Sequence, residues 1–261
     1  MKQSFALFSD YFALMDNRFT RIDSRVKLIV VFAVIAAALI AKNVLFGLSV
    51  FVFCVICMLK VRVPVKIIAV RMLPALLIML VVVIIKALFS AGEVVFEFNL
   101  GLLRLTMTRE GIAEGLLIGS RVAGALSAVM LLSFVTPAYK IFSALYWLRL
   151  PPLWVEIAMS VYRNIFAFLE YTGDIISAQK TRLGYIDTKR SLSSMGTLAG
   201  AVLLRAFDQA EKTSQAMKAR CYNGTMPFVK PSPLTKGQMR VMLTSIAVIV
   251  IVFVLIERPG L

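Results

Sequence analysis

Five blocks of apolar residues alternate with basic or polar segments along the chain. They occupy residues 26–41, 44–59, 72–89, 112–135 and 241–256. A spanning helix needs roughly 20 apolar residues, and lysines or arginines at the block ends can extend their side chains to the membrane interface. The pattern therefore predicts about five transmembrane helices. The first two form a tight hairpin, because only Lys42 and Asn43 separate their blocks.

The long segment between the fourth and fifth blocks has a different pattern, in which apolar residues recur at helical spacing beside charged ones. A first helix starts after Thr136-Pro137 and is broken at Pro151-Pro152. A long amphipathic helix then ends at Gly184, and another carries Arg220 in its last turn before Asn223-Gly224. The predicted organisation is a four-span bundle over 1–135, a cytoplasmic region of amphipathic helices over 136–237, and a last span with a short tail over 238–261.

The segment after the third block, EVVFEFNLGLLRLTMT, alternates apolar and polar residues around Asn99-Leu-Gly101. Alternation with a central turn signal is typical of a β-hairpin. A simple connector on the outer side of the membrane is the alternative, and the sequence alone leaves both open.

Composition places the chain in the membrane class. Hydrophobic residues make up 60% of it and the mean hydropathy is +0.86, whereas soluble domains are about 45–50% apolar. The prediction is an all-α integral membrane protein, multi-pass in the cell membrane and in contact with the lipid bilayer.

The net charge of +15 follows the loops, so it does not imply a nucleic-acid partner. Lysine and arginine are abundant before the first block, between the second and third, and throughout 136–240, and they are scarce in the other connections. Because basic residues concentrate in cytoplasmic loops, this alternation predicts a cytoplasmic N-terminus and a cytoplasmic 136–240 segment.

Residues suited to catalysis or metal binding are sparse. The chain has no histidine, its C-x-x-C pair of Cys54 and Cys57 lies inside an apolar block, and it has no P-loop motif. Ion carriers usually have a carboxylate deep within a membrane span, and no apolar block of this chain contains one at such a depth. We therefore expect no cofactor, no metal site and no enzyme activity. A membrane enzyme and a stand-alone ion carrier are both disfavoured.

Small residues recur every fourth position in the fourth block, at Gly111, Gly115, Gly119 and Ala123. In lipid such a row lets two helices approach closely, so it predicts a packing face. Arg121 falls in the same block. A charge at that depth is costly, so we expect Arg121 to face the bundle interior and to be paired there.

Arg182 and Arg220 lie at the ends of the two long amphipathic helices. One interpretation is a layer of helices lying on the inner membrane surface, held by anionic headgroups. The other is a compact helical platform that presents both arginines to a partner protein, since a guanidinium offers up to five donors to carbonyls or carboxylates. Composition does not separate the two.

Five phrases carry a resemblance to a known family. They are DSRVKL at 23–28, LTMTREGI at 105–112, RVAGALSAVMLLSFVTP at 121–137, LRLPPLWVEIAMSVYRNI at 148–165 and LLRAFDQAEKTSQAMKARCYNG at 203–224. The chain resembles the transmembrane T component of energy-coupling factor transporters, and most closely the CbiQ subunit of cobalt importers. Its Ala219-Arg220-Cys221 is similar to one Ala-Arg-Gly signature of that family. Thr181-Arg182-Leu183 is similar to the other, with the glycine displaced to Gly184.

The resemblance implies a coupling role. Each arginine would enter a groove on one of two ABC ATPase subunits. ATP-driven movement of those subunits would pass through the coupling helices to a separate membrane substrate-binding subunit, an S component similar to CbiM. The substrate would sit on that partner. Cobalt is the cargo that the resemblance favours, and T components for nickel or a vitamin are the alternatives.

Overall fold

The computed structural model describes residues 22–61, 63–90, 94–99, 104–223 and 234–257. Over these ranges the elements are α1 (Ser24–Ile40), α2 (Val44–Lys60), α3 (Val65–Phe89), β1 (Val94–Asn99), β2 (Arg104–Thr108), α4 (Arg109–Val135), α5 (Ala138–Trp147), α6 (Pro152–Thr181), α7 (Thr188–Ala219) and α8 (Lys236–Glu257). The prediction of an all-α membrane protein is confirmed. The exception is a small antiparallel pair of strands, β1 and β2, which is the hairpin alternative for the segment after the third block.

Three helices are long and apolar enough to cross a membrane within the described ranges, namely α3, α4 and α8 with 25, 27 and 22 residues. The other two predicted spans, α1 and α2, have 17 residues each. At 1.5 Å per residue they are about 26 Å long, slightly less than the roughly 30 Å hydrocarbon core. Helix α3 begins seven residues before the predicted third block, at Val65, and contains Pro74.

Two compact units make up the chain. The first combines Met1–Ala144 with Ser232–Leu261, and the second is Leu145–Pro231. The first unit contains most of α5, which the sequence pattern had grouped with the cytoplasmic segment.

Helix α4 is the centre of the first unit, because α1, α2 and α3 all pack against it. Its C-terminal end lies in a buried cluster with α2 and α3 that includes Met58, Met72 and Phe134. The Lys27 ammonium donates to the carbonyl of Val135, the last residue of α4, at 3.2 Å. A cation at that position also complements the negative end of the helix dipole.

Polar side chains begin several of these helices. The carboxylate of Asp23 accepts from the backbone N–H of Arg25 at 3.0 Å, which makes Asp23 the N-cap of α1. Asn43 caps α2 in the same way, through Leu45 N–H at 3.1 Å. The α1–α2 hairpin therefore turns within three residues, because its second helix is capped at once.

Candidate functional site

Helices α6 and α7 form an antiparallel hairpin in the second unit. Three side-chain contacts show its direction, since residues progressively earlier in α6 contact residues progressively later in α7 or just past it. They are Gln179 Nε2 to the Ser194 carbonyl at 2.9 Å, Arg205 over the Tyr171 ring at 5.5 Å, and Tyr222 Oη, just past α7, to Glu156 Oε2 at 3.2 Å.

The hairpin places Arg182 and Arg220 at opposite ends. Arg182 follows the last residue of α6, whereas Arg220 lies beside the start of α6, close to the level of Glu156. The 26 residues between those two levels of α6 correspond to about 40 Å of helix. Both arginines are exposed, and neither guanidinium contacts an acidic group among the described residues.

The first end, after α6, has a left-handed residue in a Schellman arrangement. Gly184 N–H donates to the Gln179 carbonyl at 2.8 Å, and Leu183 N–H donates to the Lys180 carbonyl at 3.1 Å. Leu183 has a φ of 59°. The backbone thus turns sharply immediately after Arg182, which leaves the arginine at the corner.

The second end, after α7, repeats this geometry. Tyr222 N–H donates to the Met217 carbonyl and Cys221 N–H to the Lys218 carbonyl, both at 3.0 Å. Cys221 has a φ of 56°. Each arginine therefore occupies the last position before a left-handed residue in the same backbone motif.

The left-handed position is the third residue of each Ala-Arg-Gly-like triplet, so it is the place where a glycine is favoured. Leu183 and Cys221 occupy it here. The displaced glycine, Gly184, lies one residue past the left-handed position that Leu183 occupies. Helix α7 ends at Ala219, with Arg220 directly after it and before Asn223, in agreement with the predicted helix end at Arg220. Gly224 lies outside the described residues.

At the first end, Gly184 connects the turn after Arg182 to α7. Ser194 Oγ of α7 donates to the Gly184 carbonyl at 2.9 Å, and a Cβ on Gly184 would lie 2.7 Å from that hydroxyl. Tyr185 Oη donates to Gln179 Oε1 at 2.7 Å. The turn after Arg182 is thus tied to both helices, and a side chain at position 184 would displace the Ser194 hydroxyl from this hydrogen bond.

A buried carboxylate supports the second end. Glu156 is 7% exposed and accepts from Tyr222, the second residue after Arg220. Partial burial, and then the negative charge of Glu156, raise the pKa of the Tyr222 hydroxyl, so it stays protonated and remains a donor at neutral pH. Glu156 and Tyr222 both lie within phrases that carry the family resemblance, but the sequence does not pair them, because their contact joins residues 66 positions apart.

The remaining residues of the two triplets are surface positions. Thr181 donates to the Ala178 carbonyl at 2.8 Å within its own helix, and Ala219 is exposed. A third arginine, Arg149, has a φ of 64° just after α5, with the same pair of backbone hydrogen bonds. The sequence pattern did not single out Arg149, because no glycine or signature marks its turn.

The apolar faces of the hairpin remain largely uncovered. Helix α7 has no buried residue and α6 has only Val155 and Glu156. Side chains such as Trp154 and Phe207 are each 66% exposed. The two apolar stripes therefore do not bury each other as a closed platform would require, and lipid or another protein has to cover them.

Glycine at the two left-handed positions should stabilise the hairpin ends. A left-handed conformation costs a residue with a Cβ roughly 1–2 kcal/mol, and Leu183 is 58% exposed, so its side chain contributes little burial. We expect Leu183→Gly to raise the free energy of unfolding by up to about 1 kcal/mol, after the entropy of glycine in the unfolded chain is subtracted. Hydrogen exchange at the Gly184 amide should slow.

The matched control is Leu192→Gly, at a 75% exposed position inside α7. There the same change should destabilise by about 1 kcal/mol, because the backbone is helical. Equal destabilisation by both variants would contradict the stabilising effect at position 183.

The small-residue row of α4 lies against α3. A Cβ on Gly115 would lie 2.9 Å from the Val83 Cα atom, and one on Gly119 would lie 2.7 Å from Met79 Cγ. The carbonyl of Lys86 fills the corresponding space beside Gly111. Ala123, one turn further along, is 2% exposed. Contact distances this short mean that α3 and α4 approach each other at backbone level along this row.

Arg121 points to the α1–α2 turn. Its Nε and one terminal nitrogen both donate to the Ala41 carbonyl, at 2.9 and 2.6 Å. The same turn receives α8, since Glu257 accepts from the Lys42 N–H at 2.9 Å. Arg121 lies 14 residues, or about 21 Å, from the end of α4 at Val135. The α1–α2 hairpin therefore ends partway along α4, at the depth of this arginine.

No group of three or more His, Cys, Asp or Glu side chains that could hold a metal ion occurs among the described residues. Cys54 and Cys57 are buried in α2, and Cys221 is exposed at the second hairpin end. The arrangement of charged groups thus offers exposed cations at two helix ends, which suit contact with a partner's carbonyls or carboxylates.

Known proteins resemble this chain over most of its length. A family model described as CbiQ, cobalt transport protein, matches residues 16–231. An uncharacterized protein of Methanocaldococcus jannaschii is 29% identical over 216 residues, which cover 82% of this chain and 80% of that protein. The energy-coupling factor transporter transmembrane protein EcfT of Listeria innocua is 27% identical over 215 residues, covering 78% and 80%. A putative fused cobalt transport protein CbiMQ of Methanocorpusculum labreanum is 29% identical over 144 residues, covering 55% of this chain and 24% of the fused protein.

Proposed function

Because the chain belongs to the CbiQ cobalt transport protein family, we propose that it is the transmembrane coupling subunit of an importer driven by ABC ATPases. In this role α6 and α7 are the coupling helices. They transmit ATP-driven movement of two ATPase subunits to a separate membrane subunit that binds the substrate. The chain itself is not an enzyme and carries no cofactor.

The observation that carries this proposal is the pair of equivalent hairpin ends. Each has an exposed arginine immediately before a left-handed residue, and the two ends are about 40 Å apart. Two equivalent backbone geometries on one pair of helices suit two copies of one kind of partner, or two closely related partners. Two ATPase subunits meet that description.

The position of each arginine at a backbone turn favours a protein groove over lipid headgroups as its binding site. An arginine at a sharp backbone corner projects from the helix end, where a groove with carbonyls or carboxylates at defined positions can receive its donors. Headgroup binding would only need charge near the surface and would not require the turn. The exposed apolar faces of α6 and α7 then remain for the membrane surface or for the substrate-binding subunit.

The proposal also covers the substrate-binding partner, the transported substrate and the orientation of the chain in the membrane. The fused relative joins a CbiM name to a CbiQ name in one protein, which supports an S component similar to CbiM as the substrate-binding partner. Cobalt is the proposed cargo because of the family description, with nickel or a vitamin as alternatives. We also propose a cytoplasmic N-terminus, supported by the concentration of basic residues in alternate loops, and Lys27 and the α4 end that it contacts would lie on the same side.

Affinity purification of the full chain in a mild detergent, with identification of the co-purifying chains, tests this function. We expect two P-loop ATPase subunits, or two copies of one, and a small membrane protein. A lone chain with hydrolytic activity would favour a membrane enzyme. A lone chain that moves ions in vesicles without ATP would favour a stand-alone carrier.

A further inference from the structure

An apolar pocket of about 510 Å³ lies between α1, α2, α4 and α8 in the first unit. Its size falls within the roughly 300–1,000 Å³ of small-molecule sites and far exceeds ordinary packing voids. The pocket exists because α8 contacts its neighbours mainly near its C-terminal end. There Phe253 packs edge-on against Phe46 at 5.4 Å between ring centroids, and Glu257 binds the Lys42 N–H. Further toward its N-terminus, α8 leaves this space beside α2 and α4.

The pocket wall presents almost entirely carbon. Valines from α1, α2 and α8 line it, and two of its hydroxyls are already bonded to their own helices. Ser49 Oγ donates to the Phe46 carbonyl at 2.8 Å, and Thr244 Oγ1 donates to the Arg240 carbonyl at 2.9 Å. Apart from the Ser245 hydroxyl, an occupant would therefore meet no side-chain hydroxyl on the wall that demands a partner. Since α8 is a membrane-spanning helix, the apolar molecule available to fill the pocket is the acyl chain of a lipid.

Cations flank the end of the pocket that is nearer the start of α1 and α8. Lys27, whose ammonium also donates to the Val135 carbonyl, lies one helical turn before Val31 of the wall, and the exposed Arg240 lies one turn before Thr244. Lys236 follows one turn further from the pocket along α8. The one acid described at this end of α1, Asp23, lies 3.5 Å from Arg25 and leaves the local charge positive. A phosphate at this end would be attracted by at least two positive charges.

From the pocket and these cations we propose that the α1/α2/α4/α8 pocket is a binding site for an anionic phospholipid. One acyl chain fills the pocket, and the phosphate lies near Arg240 and Lys27. Bulk lipid tails are as apolar as this wall, so filling the pocket favours no particular lipid. Selection has to come from the headgroup, where one or two cations would favour an anionic over a zwitterionic lipid by about tenfold. This site is independent of the coupling role proposed for α6 and α7.

Native mass spectrometry of the full chain, released from nanodiscs of equal phosphatidylglycerol and phosphatidylethanolamine, tests the site. We expect one retained phosphatidylglycerol, favoured about tenfold over phosphatidylethanolamine. Val248→Trp fills the pocket from α8 and should abolish retention, whereas Val250→Trp, on an exposed residue outside the pocket, should not. Val34→Trp fills the pocket from α1 and serves as the second variant if Val248→Trp fails to fold.

Arg240→Gln should reduce the preference for phosphatidylglycerol to less than about threefold while a lipid is still retained. Lys189→Gln removes one exposed charge elsewhere and should leave the preference unchanged. Absence of a retained lipid in the wild-type chain, or equal retention in Val248→Trp and Val250→Trp, would overturn the proposal. It would also be overturned if, in the assembled complex, Val248→Cys crosslinked to a partner's helix and no lipid were retained.

Discussion

Replacing both Arg182 and Arg220 by alanine is expected to abolish ATP-driven uptake while the chain still inserts into the membrane. Each arginine makes charge-assisted hydrogen bonds in the proposed groove, and the loss of such a bond costs about 1.5–3 kcal/mol. With two ends, the combined loss is about 3–6 kcal/mol, which corresponds to a weakening of ATPase association by at least a hundredfold. Co-purification of the ATPase subunits and uptake into vesicles measure the two effects.

The loss of uptake should depend on where the two charges are removed, because removing two charges elsewhere on the hairpin leaves Arg182 and Arg220 in place. Arg163→Ala combined with Lys212→Ala removes two exposed cations from the middle of α6 and α7. This control should keep uptake and ATPase association within about twofold of wild type, because exposed charges away from a contact contribute little. Single variants should each retain partial association. Normal uptake in the double variant Arg182→Ala/Arg220→Ala would refute the docking role.

Gly115→Leu is expected to lower the yield of folded, detergent-stable chain severely. The Cβ would lie 2.9 Å from the Val83 Cα atom, so the backbone of α3 or α4 would have to move. Overpacking of this kind costs about 1–3 kcal/mol, and more where backbone atoms are the obstacle. Size-exclusion chromatography after solubilisation, together with thermal unfolding, measures the change.

Gly196→Leu provides the comparison, because a Cβ at Gly196 in α7 meets nothing within 4 Å. That variant should elute as the wild type does and unfold at a similar temperature. Should Gly115→Leu behave like Gly196→Leu, the small-residue row would not be the close contact between α3 and α4 that the structure describes.

Hydrophobic patterning predicted the helices well, because each apolar block corresponds to one continuous helix. It failed at the helix ends, where the outcome depends on backbone conformation and not on hydropathy. Leu183 is an example. A leucine is rarely left-handed, so the sequence pattern predicted the helix end at the nearby Gly184 instead. A single sequence gives no signal that a residue with a Cβ will adopt the glycine conformation.

The residues that support the candidate site were beyond sequence reasoning for a different reason. Gln179, Ser194, Glu156 and Tyr222 act through contacts between two helices, so their roles depend on which faces of α6 and α7 meet. The apolar stripes predicted that each helix has a covered face, and they gave no information on what covers it. Arg121 was more accessible to prediction, because a charge within a span must find a partner, but its partner, the Ala41 carbonyl, could only come from the fold.

The antiparallel hairpin also limits how this chain can change in length over evolution. Every residue inserted into α6 between its contacts with α7 lengthens the helix by about 1.5 Å and rotates everything beyond it by about 100°. A single insertion would turn Arg182 to another side of the hairpin, whereas seven residues, close to two full turns, would nearly restore its direction. Insertions and deletions in α6 should therefore be tolerated mainly in steps of about seven, with a matching change in α7.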